Sequence, residues 1–190
     1  GDDALDAARD VLDDGARRLL TQSGNVAEFD VARDRIVFTM QGVSSPADLH
    51  VIAGNAAPRR LTDINASRLV DVRFGEAAQF SFTGAGGDKV FGYAVKPWNW
   101  QPGKKYPVAF IVHGGPQSSF ANTWSYRWNP QVYSGAGYGV VFIDFHGSTG
   151  YGQAFTDSIS GDWGGKPLED LQKGLAAALG QYDWLDGDRA

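Results

Sequence analysis

Two nearly unbroken apolar runs, residues 107–112 (PVAFIV) and 138–144 (YGVVFID), constrain the fold of this 190-residue chain more than any other feature. A strand with one wet face alternates apolar and polar residues, so continuous runs of this length mark strands covered on both faces. Between them the pattern predicts a helix over 129–134, ended by Gly135 and Gly137. Further on, Pro167 opens a second helix, in which Leu168, Leu171, Leu175, Ala178, Leu179 and Tyr182 recur at the 3.6-residue period. Two strands, 79–83 and 90–96, flank a glycine-rich hairpin turn at 84–88 (GAGGD). Buried strands alternating with helices predict a doubly wound parallel sheet, so 76–190 reads as α/β.

The first part of the chain is written differently. Residues 15–21 (GARRLLT) are echoed by 57–62 (APRRLT), with Thr21 and Thr62 lying 41 residues apart. Short strands at 35–39 and 48–52 fall between the echoes, each ended by Gly, Pro, Asn or Ser. A period of about 40–45 residues built from short strands is that of a β-propeller blade, and a chance match is the competing reading. Residues 1–14 are acidic and Ala-rich. Leu5, Ala8 and Leu12 suit a short helix there, or a frayed terminus.

Composition removes several functions. Net charge is −5 and the basic pairs Arg17-Arg18 and Arg59-Arg60 are short, which argues against a nucleic-acid partner. There is no cysteine, so disulfide frameworks, thiol nucleophiles and Cys-ligated zinc are excluded. The compartment stays open between periplasmic or secreted and cytoplasmic. No apolar run approaches the about 20 residues that span a bilayer, so no membrane partner is expected. The chain opens on Gly1-Asp2-Asp3, not Met, so the lack of a visible signal peptide says little. His50, His113 and His146 are far apart and form no metal-ligating pattern; neither metal nor cofactor is expected.

Chemistry concentrates where the two apolar runs end. His113-Gly114-Gly115-Pro116 follows the first, and loops leaving the C-terminal ends of strands line the sites of open α/β sheets. Glycine lets a backbone N–H approach a ligand, and such an N–H stabilises the oxyanion of acyl transfer. A tight turn with a packed histidine is the alternative. The second run ends in residues 144–152 (DFHGSTGYG), which read as a structural glycine turn, lacking both the G-x-G-x-x-G spacing and a P-loop lysine. A serine hydrolase of this fold also needs Ser on a G-x-S-x-G elbow, followed by Asp or Glu and then His. None of Ser118, Ser119, Ser134, Ser148, Ser158 or Ser160 stands in that motif, and no triad can be assembled.

Residues 105–189, through HGGPQ, FHGSTGYGQAFTDSI, GDWGGKPLEDL and the closing D-x-D-R, closely resemble the prolyl oligopeptidase family of serine peptidases. Within it they look most like the dipeptidyl-peptidase V and acylaminoacyl-peptidase branch. Residues 37–91 (including FTMQGVSSPADL, RRLT and QFSFTG) resemble the same branch. The resemblance implies an α/β architecture: 1–73 as the last strands of a β-propeller, its first part uncertain, and 74–190 as the N-terminal part of an α/β-hydrolase peptidase domain. It implies a serine exopeptidase that hydrolyses short peptides through an acyl-enzyme. Gly115 would supply the oxyanion-hole N–H, with His113 and Gly114 shaping its loop. Asp144, His146, Gly147 and Tyr151 would belong to a loop beside the substrate, and Trp163, Gly164, Gly165 and Asp170 to the framework.

The resemblance also puts the catalytic Ser, Asp and His after the D-x-D-R segment, outside this sequence. The chain alone is therefore expected to be inactive. Its expected partners are a short peptide substrate, the remainder of the peptidase as a second chain or further segment, and further copies of itself. A parallel sheet cut after two buried strands would have an open edge, which should aggregate or seek a partner. The alternatives are a non-catalytic hydrolase-like binding chain and a carboxylesterase of the same fold.

Overall fold

The computed structural model describes residues 9–11, 17–115, 117–120 and 122–190. They divide into two compact units, one of residues up to Val72 together with Asn122–Arg127, the other of Arg73–Ala121 and Trp128–Ala190. The helix considered over 1–14 lies mostly outside the described residues. Within that stretch, β1 (Arg9–Val11) is a strand, paired antiparallel with β2 (Arg17–Leu19).

The first unit is built on a four-stranded antiparallel meander of β3 (Asn25–Ala32), β4 (Arg35–Gly42), β5 (Ser45–Ala53) and β6 (Arg59–Arg60), in that order. The strands expected at 35–39 and 48–52 are the centres of β4 and β5. β3 is additional, and most of its residues are exposed. Arg33, at φ 57°, turns β3 into β4. The β4–β5 turn is anchored by Asn122, whose side-chain oxygen accepts the Val43 N–H at 2.9 Å. A central polar group of the unit is Asp48 on β5. It accepts bonds from the Arg60 guanidinium, from Thr62 Oγ1 at 2.8 Å and from the Ile64 N–H at 3.1 Å. Thr62 in turn accepts the Leu49 N–H. The threonine of the second sequence echo thus closes the meander. A short helix, α1 (Ala66–Leu69), follows.

The second unit holds a five-stranded sheet in the order β11-β9-β10-β8-β7. Its strands are β7 (Ala77–Thr83), β8 (Lys89–Val95), β9 (Tyr106–Ile111), β10 (Gly139–Asp144) and β11 (Leu185–Asp186). β9–β10 and β9–β11 are parallel, but β7–β8 and β8–β10 are antiparallel. The sheet is therefore mixed, which corrects the all-parallel expectation. The reason is local: the 84–88 turn, with Gly86 and Gly87 at positive φ, folds β8 straight back on β7. The parallel β9–β10 step needs a crossover, which carries α2 (Pro130–Gly135), capped by the Asn129 side chain on the Gln131 N–H. Every residue of β10 is buried, as its unbroken apolar run requires, whereas β9 is mostly half-buried.

Two helices complete the unit: α3 (Gln153–Asp157) and α4 (Lys166–Gln181), the latter with Pro167 in its first turn. Leu171, Leu175, Leu179 and Tyr182 pack on the core of Phe80, Val90, Val108, Val141, Ile143 and Trp184. Leu168 does not, and stays exposed. The most buried line of α4 is instead Pro167, Asp170, Gly174 and Ala178. Gly174 permits the contact, since a Cβ there would lie 2.0 Å from Ile143 Cδ1.

Gly174→Ala should therefore lower stability by about 1–3 kcal/mol through overpacking. Gly180→Ala, facing open space near the end of the same helix, should instead raise it by up to about 1 kcal/mol. Urea denaturation of the two variants reads this difference in sign. In the first unit, burial pushes the Asp48 carboxyl up, but the bonds from Arg60, Thr62 and Ile64 together outweigh it and hold its pKa below the ordinary aspartate value. A carboxylate depressed in this way stabilises the fold above its unfolded pKa and loses that contribution as pH falls through the folded value. The urea midpoint of the first unit should fall with acid, and Asp48→Asn should flatten that slope.

Candidate functional site

Both glycine-containing loops leave the same end of the parallel β9–β10 pair, which brings residues 113–120 beside residues 144–152. Asp144, the last residue of β10, is the bolt between them. It is buried, and its carboxylate accepts from Ser119 Oγ at 2.7 Å, the Phe120 N–H at 3.1 Å and the Tyr151 hydroxyl at 2.7 Å. A backbone bond from the Thr149 N–H to the Ser118 carbonyl, 3.0 Å, adds a second tie.

His113 and Ser148 form the third. Ser148 Oγ lies 2.8 Å from His113 Nε2, while His113 Nδ1 lies 3.2 Å from the Gly114 carbonyl. A carbonyl only accepts, so a neutral ring carries its proton on Nδ1 and accepts from Ser148 at Nε2. With Asp144 Oδ1 at 3.7 Å from Nε2, the three side-chain types of a hydrolytic triad are gathered here. They do not work as one. The carboxylate faces the same ring nitrogen as the serine, whereas a triad holds its carboxylate on the other. Ser148 is also wholly buried, and the His113 ring stacks on Phe145 at 4.3 Å. The constellation is a strut. It holds the loop in which Gly114 and Gly115 stay exposed, with Gly115 at φ 140° and the site of a Cβ only 3.0 Å from Ser118 Cβ. Pro116 lies outside the described residues.

His146 and Gly147 are equally embedded. Gly147 has φ 98°, and a Cβ on it would sit 2.4 Å from Ile159 Cδ1. The His146 ring stacks on Phe155, with Nδ1 2.6 Å from Asp170 and Nε2 3.1 Å from Asp88. Asp170, fully buried on α4, also accepts the Ala85 and His146 N–H groups, each at 2.7 Å. Of the framework residues implied by the resemblance, Asp170 is central and Gly165 caps locally on Asp162, whereas Trp163 is 71% exposed. Ser119, Ser148 and Asp88 carry ties that the sequence reading did not assign. Nothing in their local spacing signals them, because each partner lies 25 or more residues away.

Beside the 113–115 loop lies a cleft of about 700 Å³, lined by β9 residues with His113, Gly114, Phe120, Trp128 and Tyr133 among others. β11 pairs with β9 only at Tyr106 and Pro107. The rest of that β9 edge has no strand partner among the described residues. Also among the described residues, no group of three or more His, Asp or Glu is placed to hold a metal ion, and no helix is long and apolar enough to cross a membrane.

A mixed sheet with paired glycine loops at one strand end is the frame of many α/β enzymes, and comparison narrows it. Residues 124–190 match the model of the prolyl oligopeptidase family. It is 46% identical over 108 residues to dipeptidyl-peptidase 5 of Schizosaccharomyces pombe, a match covering 57% of this chain and 16% of that protein. With dipeptidyl-peptidase 5 of Trichophyton equinum it shares 51% identity over 100 residues, covering 53% of this chain and 14% of the relative. The solved acylaminoacyl peptidase of Pyrococcus horikoshii superposes with a TM-score of 0.78 at 26% identity, over 91% of this chain and 27% of that one. The chain thus spans well under a third of each of these relatives.

Asp144→Asn takes one accepting oxygen from the bolt and leaves a buried donor unmatched. Stability should fall by about 1–3 kcal/mol, and amide exchange should quicken in both 117–120 and 145–151. Exchange that quickens in one loop alone would show that the loops are independent.

Proposed function

We propose that this chain is part of a serine exopeptidase of the dipeptidyl-peptidase or acylaminoacyl-peptidase type, which cleaves short peptides through an acyl-enzyme. In this reading the first unit belongs to a β-propeller and the second is the N-terminal part of an α/β-hydrolase domain. The observation that carries it is the exposed Gly115 loop, buttressed from behind, at the end of a parallel strand whose outer edge has no strand partner beyond Pro107 among the described residues. The strand bearing the nucleophilic serine adds to that edge beyond Pro107, extending the parallel pairing that β11 begins. Its elbow then emerges next to Gly115, whose N–H meets the oxygen that becomes negative as the serine attacks the peptide carbonyl. The identity to dipeptidyl-peptidase 5 proteins and the likeness to an acylaminoacyl peptidase support this assignment. The 41-residue echo, with β2 and β6 each pairing antiparallel to the strand before it, supports the propeller.

A fluorophosphonate should label the full-length protein that contains this chain and leave the 190-residue chain unlabelled. Gly115→Ala, which crowds Ser118, should cut kcat by about 10²-fold with little change in KM. A full-length protein that never reacts with the probe removes the proposal. A protein that turns over acyl esters but neither dipeptidyl nor acylaminoacyl amides would be an esterase instead.

A further inference from the structure

His146 is the one fully buried histidine with a carboxylate at each ring nitrogen. Asp170 on α4 takes Nδ1, and Asp88 on the β7–β8 turn takes Nε2. Carboxylates only accept, and a neutral imidazole has one N–H to give. Both bonds can be donated together only by the doubly protonated ring. Asp170 is buried and its other bonds come from the Ala85 and His146 backbone N–H groups, so the His146 ring is the ionisable side chain that meets it. From α3 the uncharged Phe155 ring stacks on His146. Two residues before it, Asp144 directs its oxygens to Ser119, Phe120 and Tyr151. On α4, Lys173 pairs with Glu169 and donates to the Gly84 carbonyl in the same turn that Asp88 closes. Lys89, next to Asp88, lies over the Phe91 ring.

The geometry points to His146 as a proton-dependent clamp that, while doubly protonated, positions both the 84–88 turn and the 144–152 loop against α4. When the ring loses a proton, one bond must go. The Asp170 bond stays, because a buried carboxylate has no water to replace it. Asp88, whose side chain is 62% exposed, can be rehydrated, so its bond is the one released. Rising pH therefore frees the turn first and leaves the loop pinned through Asp170. His146 acts through Gly147 and Ser148, and thence through the Ser148–His113 contact, so it is a positioning residue. The clamp stands independently of the peptidase reading.

The test is nitrogen-15 NMR of the full chain with amide exchange followed in parallel across pH. Imidazole spectra should show both His146 nitrogens protonated at the acid end. Loss of the Nε2 proton should coincide with about tenfold faster exchange in residues 84–88, after correction for intrinsic base catalysis. Asp88→Ala, an exposed change that leaves the core intact, should give fast exchange in the turn at every pH while Asp170 still holds Nδ1. Asp88→Asn keeps an accepting oxygen but no charge and should shift the transition to lower pH. A His146 ring with one proton throughout, turn exchange indifferent to its titration, or unchanged coupling in Asp88→Ala would each overturn the clamp.

Discussion

The second unit turns on one buried carboxylate. Asp170 sits on the innermost line of α4, where an apolar residue would be ordinary, and gathers the Ala85 N–H, the His146 N–H and the His146 ring. These donors come from a hairpin turn and from the loop after the central strand, so a single side chain fixes the helix to two distant parts of the sheet. A carboxyl group so buried needs donors for its oxygens. Gly84 shows how tight the fit is: a Cβ there would lie 2.4 Å from Asp170 Oδ1. The helix could have been docked by hydrophobic burial alone. The carboxylate adds register, because only one rotation of α4 presents it to both partners.

The glycine loops inherit their shape from this arrangement and from Asp144. Behind the exposed Gly114-Gly115 segment, His113 is held by Ser148, Asp144 by Ser119, Phe120 and Tyr151, and Ser118 by Thr149. Bonds of this kind hold the loop backbone in one conformation. They also explain why a serine, a histidine and an aspartate lie together without forming a nucleophile. Ser148 is spent on His113, and Asp144 on Ser119, Phe120 and Tyr151.

Much of the frame was legible in the sequence because burial leaves a plain mark. The runs at 107–112 and 138–144 became β9 and β10, and Pro167 opened α4. What was not legible depended on partners far along the chain. The hairpin 84–88 was foreseen, but not that β8 would lie antiparallel beside β10, which makes the sheet mixed. β3 was missed since its residues are largely exposed and carry little alternation to read. Along α4 the apolar period pointed to Leu168, whereas Asp170 and Gly174 occupy the buried line, and neither looks like a core residue out of context. In the site, the position of the 113–115 loop at the end of β9 followed from the apolar run before it, while the pairing of His113 with Ser148 had no local trace.

Asp144 has a consequence for how such a chain can change over time. One carboxylate serves a hydroxyl and an amide of the first loop and a phenol of the second, so neither loop owns its own support. Lengthening or retuning one rim disturbs the geometry of the other. Variation in this neighbourhood is thereby steered outward, to surface side chains, while the two backbones drift only in concert.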